Sequence, residues 1–175
     1  MTKVAIVQVY TGDGKGKSTA ACGLALRAAA HGLKVGFFRF FKPDKSGEVL
    51  VLKSLKNVRV YNPITVHPAC QGLTRTQRID LQRRFARQWQ KVTETIRKKK
   101  FDLVILDEIL IAVRDGFLSE KELVKFLDSR PKKCELVLTG RTLPRKVVPR
   151  ADLITEMRAV KHPFPALKAR QGIEF

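Results

Sequence analysis

Short apolar runs rich in β-branched and aromatic residues recur along the chain: Val4 to Tyr10, Val35 to Phe41, Val58 to Tyr61, Leu103 to Leu106, Leu136 to Leu138, and Leu153 to Thr155. They are continuous rather than alternating, which is the pattern of strands buried on both faces. The stretches between them read as helices. Lys17 to His31 is Ala-rich and ends at Gly32, a helix stop. From Arg75 to Lys100, Leu81, Phe85, Trp89, Val92 and Ile96 recur at steps of three and four, so one apolar stripe runs along a long helix. Ser119 to Ser129 is a further helix, with Ser119 as its cap and Glu122 completing a capping box. Strands alternating with helices predict an α/β fold with a mostly parallel central sheet flanked by helices. Phe37, Phe38, Phe40, Phe41 and Trp89 are expected in its core.

Length places a bound on this picture. The 175 residues suit a single domain, with no internal repeat or low-complexity linker to divide it. No apolar run approaches the ~20 residues that cross a bilayer, and no membrane association is expected. The start, Met1-Thr2-Lys3 followed by Val4-Ala5-Ile6-Val7, lacks the apolar core and cleavage site of a secretory signal, so a cytoplasmic protein is expected. Cys22, Cys70 and Cys134 are odd in number and scattered, which implies neither a disulfide framework nor a zinc site.

Charge is the unusual bulk property: 35 Lys and Arg against 16 Asp and Glu, a net +19. An excess of that size attracts any polyanion, whether nucleic acid, nucleotide or membrane surface. Much of it lies in the long helix, where Arg75, Arg78, Arg83, Arg84, Arg87, Lys91, Arg97, Lys98, Lys99 and Lys100 face only Asp80 and Glu94. No nucleic-acid-reading motif accompanies this run, so it is read as a solvated face, with no specific nucleic-acid partner.

The first apolar run leads into Thr11-Gly12-Asp13-Gly14-Lys15-Gly16-Lys17-Ser18-Thr19 and then into a helix, the context that a P-loop requires. Glycines let the backbone amides turn inward as an anion nest at the positive end of a helix dipole. Lys17 adds a point charge on phosphate, and Ser18 offers a hydroxyl to Mg²⁺. The strict pattern would have Gly at position 11, where this chain has Thr. Leu103 to Leu106 delivers Asp107 and Glu108 to the C-terminal tip of a buried strand, where open α/β sheets bind ligands and a Walker B acid meets the metal. One acid would reach the metal, directly or through water; the other could orient a water. The 90 residues from Lys17 to Asp107 leave room for a further strand and helices, pointing to a RecA-like P-loop sheet in which the two strands are not sequence neighbours. Leu136 to Leu138 brings Thr139-Gly140-Arg141 to the same rim, where Arg141 is either a phosphate clamp or a surface arginine in a loop.

This constellation resembles the P-loop type of ATP:corrinoid adenosyltransferases. The resemblance spans nearly the whole chain: Thr11 to Ala21, Val104 to Glu108, Thr139-Gly140-Arg141, Ala151-Asp152, Thr155-Glu156-Met157, Val160-Lys161-His162, Lys168-Ala169 and Gly172-Ile173-Glu174-Phe175. It implies transfer of the 5′-deoxyadenosyl group of ATP to Co(I) of a reduced corrinoid such as cobalamin, with triphosphate leaving. It further implies Mg²⁺, a homodimer, and a flavin- or flavodoxin-type reductant. Carried onto this chain, Gly12 to Thr19 would hold the triphosphate, Ser18 and Glu108 the metal, and Arg141 would brace the phosphates, leaving Lys17 and Arg141 as the catalytic side chains. The chain departs from the family where relatives carry a Phe-Thr-Trp cluster: Cys70-Gln71-Gly72-Leu73-Thr74 has no aromatic. His67 and Cys70 nearby are tempting as cobalt ligands, yet two such residues in a loop are more often incidental. An N-terminal extension that some relatives carry is also expected to be missing. The rival from another class is a nucleic-acid-stimulated P-loop ATPase, favoured by the basic charge and the acid pair; a small P-loop kinase is a third.

Overall fold

The computed structural model describes residues 4–42, 46–65, 73–161 and 170–173. Within them, six strands form one sheet: β1 (Val7–Thr11), β2 (Val35–Phe40), β3 (Val58–Ile64), β4 (Leu103–Asp107), β5 (Glu135–Thr139) and β6 (Leu153–Glu156). The order across the sheet is β3-β2-β4-β5-β1-β6. Every pairing is parallel. As the spacing predicts, the strand feeding the glycine loop and the strand ending in the acid pair are not sequence neighbours, since β2 and β3 come between them in the chain; in the sheet, β5 lies between them.

The continuous apolar strands are explained by layers on both sides. Val35 and Phe37 of β2, Leu103 and Ile105 of β4, and Val137 of β5 face Ala21, Ala25 and Ala28 of helix α1 (Lys17–Ala30) and Leu52 of α2 (Gly47–Ser54). Their neighbours in sequence, Phe38, Phe40, Val104, Leu106, Leu136 and Leu138, face the opposite way. There they meet Phe85, Trp89 and Ile96 of α3 (Arg75–Lys99), Ile109 to Ala112 of α4 (Ile109–Arg114), and Leu123, Phe126 and Leu127 of α5 (Glu120–Ser129). The period of two along each strand thus separates one sheet into two cores. Trp89 is edge-on to Phe126 at 5.3 Å between ring centroids, and Phe41 stacks on Phe85 at 5.7 Å. The expected core aromatics are all buried.

The Ser119 capping box forms, with Glu122 reciprocating. A second box, Thr74 with Gln77, starts α3. The basic residues of α3 are exposed while its apolar stripe is buried, as expected of a solvated face. Two elements differ from expectation. Strand β1 begins at Val7, since Val4 is 83% exposed and outside the sheet. Strand β6 is exposed along its whole length, unlike the other edge strand, β3, whose Val58 and Ile64 are buried, so its apolar run does not signify burial on both faces. The helices α2 and α4 are additions that the apolar pattern does not predict: α2 follows residues 43–45, outside the described set, and α4 starts directly at the end of β4. His67, Cys70, Gln71, Gly72, His162, Lys168, Ala169, Glu174 and Phe175 likewise lie outside the described residues.

Candidate active site at the carboxyl rim of the sheet

Six parallel strands carry the chain to one rim, and the glycine loop leaves β1 there. Thr11 remains in the strand, paired with Glu156 of β6. Its backbone is not left-handed; positive φ begins at Gly12 (φ 98°). That is why Thr is tolerated where the strict motif has Gly. The loop lies against the chain leaving β6: the Met157 amide donates to the Thr11 carbonyl (2.9 Å) and the Gly14 amide to the Met157 carbonyl (2.7 Å). A Cβ on Gly12 would lie 2.3 Å from the Met157 carbonyl oxygen, and one on Gly14 2.8 Å from it. These glycines are therefore needed for close backbone approach as well as for conformation. The Ala159 amide donates to the exposed Asp13 carboxylate (3.1 Å), and this bond holds Asp13 below its ordinary pKa.

Gly16 (φ 117°) starts α1 without a side-chain cap, so the first-turn amides are presented towards the rim. The Lys17 ammonium turns back on the loop and donates to the carbonyls of Gly12 (2.7 Å) and Gly14 (2.6 Å). Burial lowers its pKa, helped by the nearby Arg141 and Lys42 charges and opposed by Glu108 and Asp13.

Asp107, only 1% exposed, is fully engaged. Its Oδ1 accepts from the Ser18 hydroxyl (2.8 Å) and the Thr139 hydroxyl (2.8 Å), and its Oδ2 accepts from the Lys42 ammonium (2.8 Å). Thr139 in turn accepts from the Glu108 amide (2.8 Å), so β5 clamps the end of β4. Glu108 sits at a left-handed elbow (φ 65°) that turns its side chain into the cleft. Its Oε1 is 3.8 Å from the Lys42 nitrogen, and its buried Oε2 has no hydrogen-bond partner among the described residues. Burial raises the Glu108 pKa, the Asp107 charge raises it further, and Lys42, Lys17 and Arg141 oppose both. For Lys42, burial lowers the pKa but Asp107 and Glu108 more than reverse this, so the net shift is upward.

A cleft of about 590 Å³ opens above these groups. Asp13 to Thr19, Lys42, Glu108 and Arg141 line it, whereas Gly12 and Asp107 lie behind that lining. Arg141 is held there by the tight bend at Gly140 (φ 152°), where an added Cβ would lie 2.5 Å from Leu110. Glu48 and Gly172-Ile173 also line the cleft. The start of α2 is anchored by the buried Arg39, whose Nη2 donates to the Ser46 hydroxyl (2.6 Å) and pairs with Glu48 at 3.9 Å. Cys22 also touches the cleft, but burial first, and then Asp107 and Glu48, push its thiol up to about 12. It is inert as a nucleophile at neutral pH.

The structure thus brings together Gly12 to Thr19, Asp107, Glu108 and Arg141. Sequence reasoning missed Lys42 and the hydroxyl of Thr139. Lys42 follows directly on the Phe-rich strand, at the strand end where open α/β sheets place their ligands, and that position is the signal that could have found it. The donor set fits a hard divalent ion. Ser18 and Glu108 offer oxygens, one of them buried and unpartnered, and Asp107 lies directly behind. Among the described residues no cluster of three or more His, Cys, Asp or Glu could hold a metal unaided. Such a site matches Mg²⁺, which is usually bound by one or two carboxylates together with substrate phosphates and water.

Residues 3–175 match the family model described as ATP:corrinoid adenosyltransferase BtuR/CobO/CobP. The chain is 36% identical over 174 residues to a corrinoid adenosyltransferase of Sinorhizobium sp., covering 97% of this chain and 80% of that protein. It is 35% identical over 176 residues to one of Pseudomonas aeruginosa, covering 97% and 83%. Similarity to the corrinoid adenosyltransferase of Escherichia coli K12 is also 35% over 174 residues, covering 97% and 85%.

Proposed function

The chain belongs to the ATP:corrinoid adenosyltransferase family, and from that premise we propose how its own residues divide the work. The protein is an enzyme that transfers the adenosyl group of ATP to a corrinoid, a transferase of cobalamin biosynthesis. The bond that forms is cobalt to C5′. The reduced Co(I) of the substrate supplies the electron pair, the C5′–O bond breaks, and triphosphate leaves with that bond's electrons. A nucleophile of this kind has no proton to lose, so no general base is required. The protein's task is to stabilise negative charge on the departing triphosphate.

One observation carries this division of labour: the first turn of α1, Lys17, Lys42 and Arg141 line the same cleft. The loop amides and Lys17 hold the phosphates, and Arg141 braces them from β5. Ser18 and Glu108 hold Mg²⁺, which when bound offsets charge on the phosphate oxygens. Asp107 stays behind it and aims the Ser18 hydroxyl. A nucleic-acid-stimulated ATPase is not favoured, because the family match runs the length of the chain.

We further assign the homodimer contact to β6, which has no strand beyond it among the described residues and where Leu153 and Ile154 are 43% and 38% exposed, since an edge strand is a ready pairing surface. The chain acts as one domain, in the cytoplasm, where ATP is available; a flavin- or flavodoxin-type protein would supply electrons for Co(I). No helix among the described residues is long and apolar enough to cross a membrane.

The metal assignment has a direct test. Glu108→Gln replaces a carboxylate with a weaker ligand for a hard cation, and the Mg²⁺ concentration at half-maximal rate is expected to rise about tenfold or more. An unchanged titration in that variant, with Asp107→Asn shifting it instead, would transfer the role of direct ligand to Asp107.

A further inference from the structure

Lys42 belongs to no recognised motif of the chain, yet it sits at the centre of the acid cluster. Its ammonium contacts the Ser18 hydroxyl, Asp107 Oδ2 at 2.8 Å and Glu108 Oε1 at 3.8 Å. These are the groups assigned above to the divalent ion and its supporting acid. The backbone is bent to bring them together. Phe41, immediately before Lys42, has a left-handed conformation (φ 58°) that a bulky residue rarely adopts, and Glu108 has the same conformation (φ 65°). Phe41 is held in it by its amide bond to the Ile64 carbonyl (2.7 Å) and by burial of its ring against Phe85 and Phe117. Two strained elbows therefore converge on one cation.

We propose that Lys42, anchored on Asp107, is a tethered counter-ion that alternates with the divalent metal for the oxygens of Ser18 and Glu108, and that on metal binding its ammonium transfers to the triphosphate. The inference rests on the metal assignment made above. Three considerations support it. Two cations repel one another, and the doubly charged ion is the stronger competitor for hard oxygen donors. A lysine has a flexible stem and three donors, so its head can leave one set of oxygens for another without moving the backbone. Lys42 lines the cleft together with Lys17 and Arg141, so a polyphosphate placed there lies beside it. A fixed positive charge thereby remains within the acid cluster before the metal arrives and serves the leaving group afterwards.

The unsubstituted protein provides the first test, by mass-spectrometric measurement of Lys42 acetylation with acetic anhydride in three conditions, with metal uptake followed in parallel by calorimetry. Without metal, Lys42 should be protected. Saturating Mg²⁺ alone should raise its labelling severalfold, and Mg²⁺ with inorganic triphosphate should suppress it again. Metal uptake with no change in Lys42 labelling would overturn the exchange while leaving the metal site intact. Failure to take up metal even with triphosphate would remove both readings.

A second test uses Lys42→Met. The variant should bind Mg²⁺ roughly tenfold more tightly in the absence of phosphates, and bind inorganic triphosphate roughly tenfold more weakly at saturating Mg²⁺, the scale of one charge-assisted contact. Lys42→Arg, which keeps the charge, should restore affinities towards those of the parent. Parent-like values for Lys42→Met in both titrations would refute the proposal.

Discussion

Lys17→Ala is expected to lower kcat/KM for ATP by roughly two orders of magnitude, the effect of losing one transition-state charge contact of about 3 kcal/mol. The structure gives the reason. Lys17 is buried at the start of α1, and its ammonium already bridges the carbonyls of Gly12 and Gly14. It therefore stands inside the curve of the loop that would wrap the phosphates. Lys42 and Arg141 reach the same cleft from β2 and β5, but neither emerges from within that loop. Steady-state kinetics with chemically reduced corrinoid would measure the loss. A variant within a few-fold of the parent would show that Lys17 does not carry the leaving-group charge.

Gly12→Ala is expected to be as damaging by a different route. A Cβ at this position would be 2.3 Å from the Met157 carbonyl oxygen and 2.9 Å from its carbon and nitrogen. The neighbour is backbone, anchored on both sides by the bonds from Met157 to Thr11 and from Gly14 to Met157, so it has little room to yield. The φ of 98° adds conformational strain for any residue with a side chain. Overpacking together with a disfavoured φ costs about 3 kcal/mol, so either the fold loses that stability or the loop moves away from Met157. Loss of stability alone would lower the melting temperature and leave ATP affinity near that of the parent, whereas movement of the loop should lower ATP affinity by about a hundredfold. Calorimetric titration with ATP, alongside thermal unfolding, distinguishes the two. Near-parental affinity with near-parental melting would contradict the account of why this glycine is needed.

These two residues also show what could be read from the chain before its structure. Strand, glycine loop and helix occur in fixed order over Val4 to His31, and the geometry of that unit is local, so its position and its lysine were legible from spacing alone. Asp107 and Glu108 were legible because a buried parallel strand leaves its ligands at its C-terminal tip. Three features were not. The contact of Gly12 with Met157 joins residues far apart in sequence, through the pairing of β1 with β6, and no local pattern encodes it. Lys42 faces the acid pair because β2 lies beside β4, with Arg39 opposite Asp107; its place just past an apolar strand marks it as a residue of the rim, but nothing in the chain shows which strand lies alongside. Helix α4 begins immediately after Glu108, and its run Ile109 to Val113 is too short for helical periodicity to separate it from the preceding strand. The exposure of β6 is the converse case: an apolar run that is exposed along its length at a sheet edge, which no local pattern tells from a strand buried on both faces.

The central claim is that these residues stabilise an intact triphosphate as it departs from the 5′ carbon. A hydrolase or kinase using a similar loop would instead split the terminal phosphoryl group, since its metal and lysine stabilise charge on the phosphate being transferred. Chromatography of the products formed from ATP, Mg²⁺ and chemically reduced corrinoid separates the two outcomes. Triphosphate should accumulate in step with a light-sensitive adenosylated corrinoid, with little ADP. ADP and phosphate as the principal products, formed whether or not corrinoid is present, would contradict it.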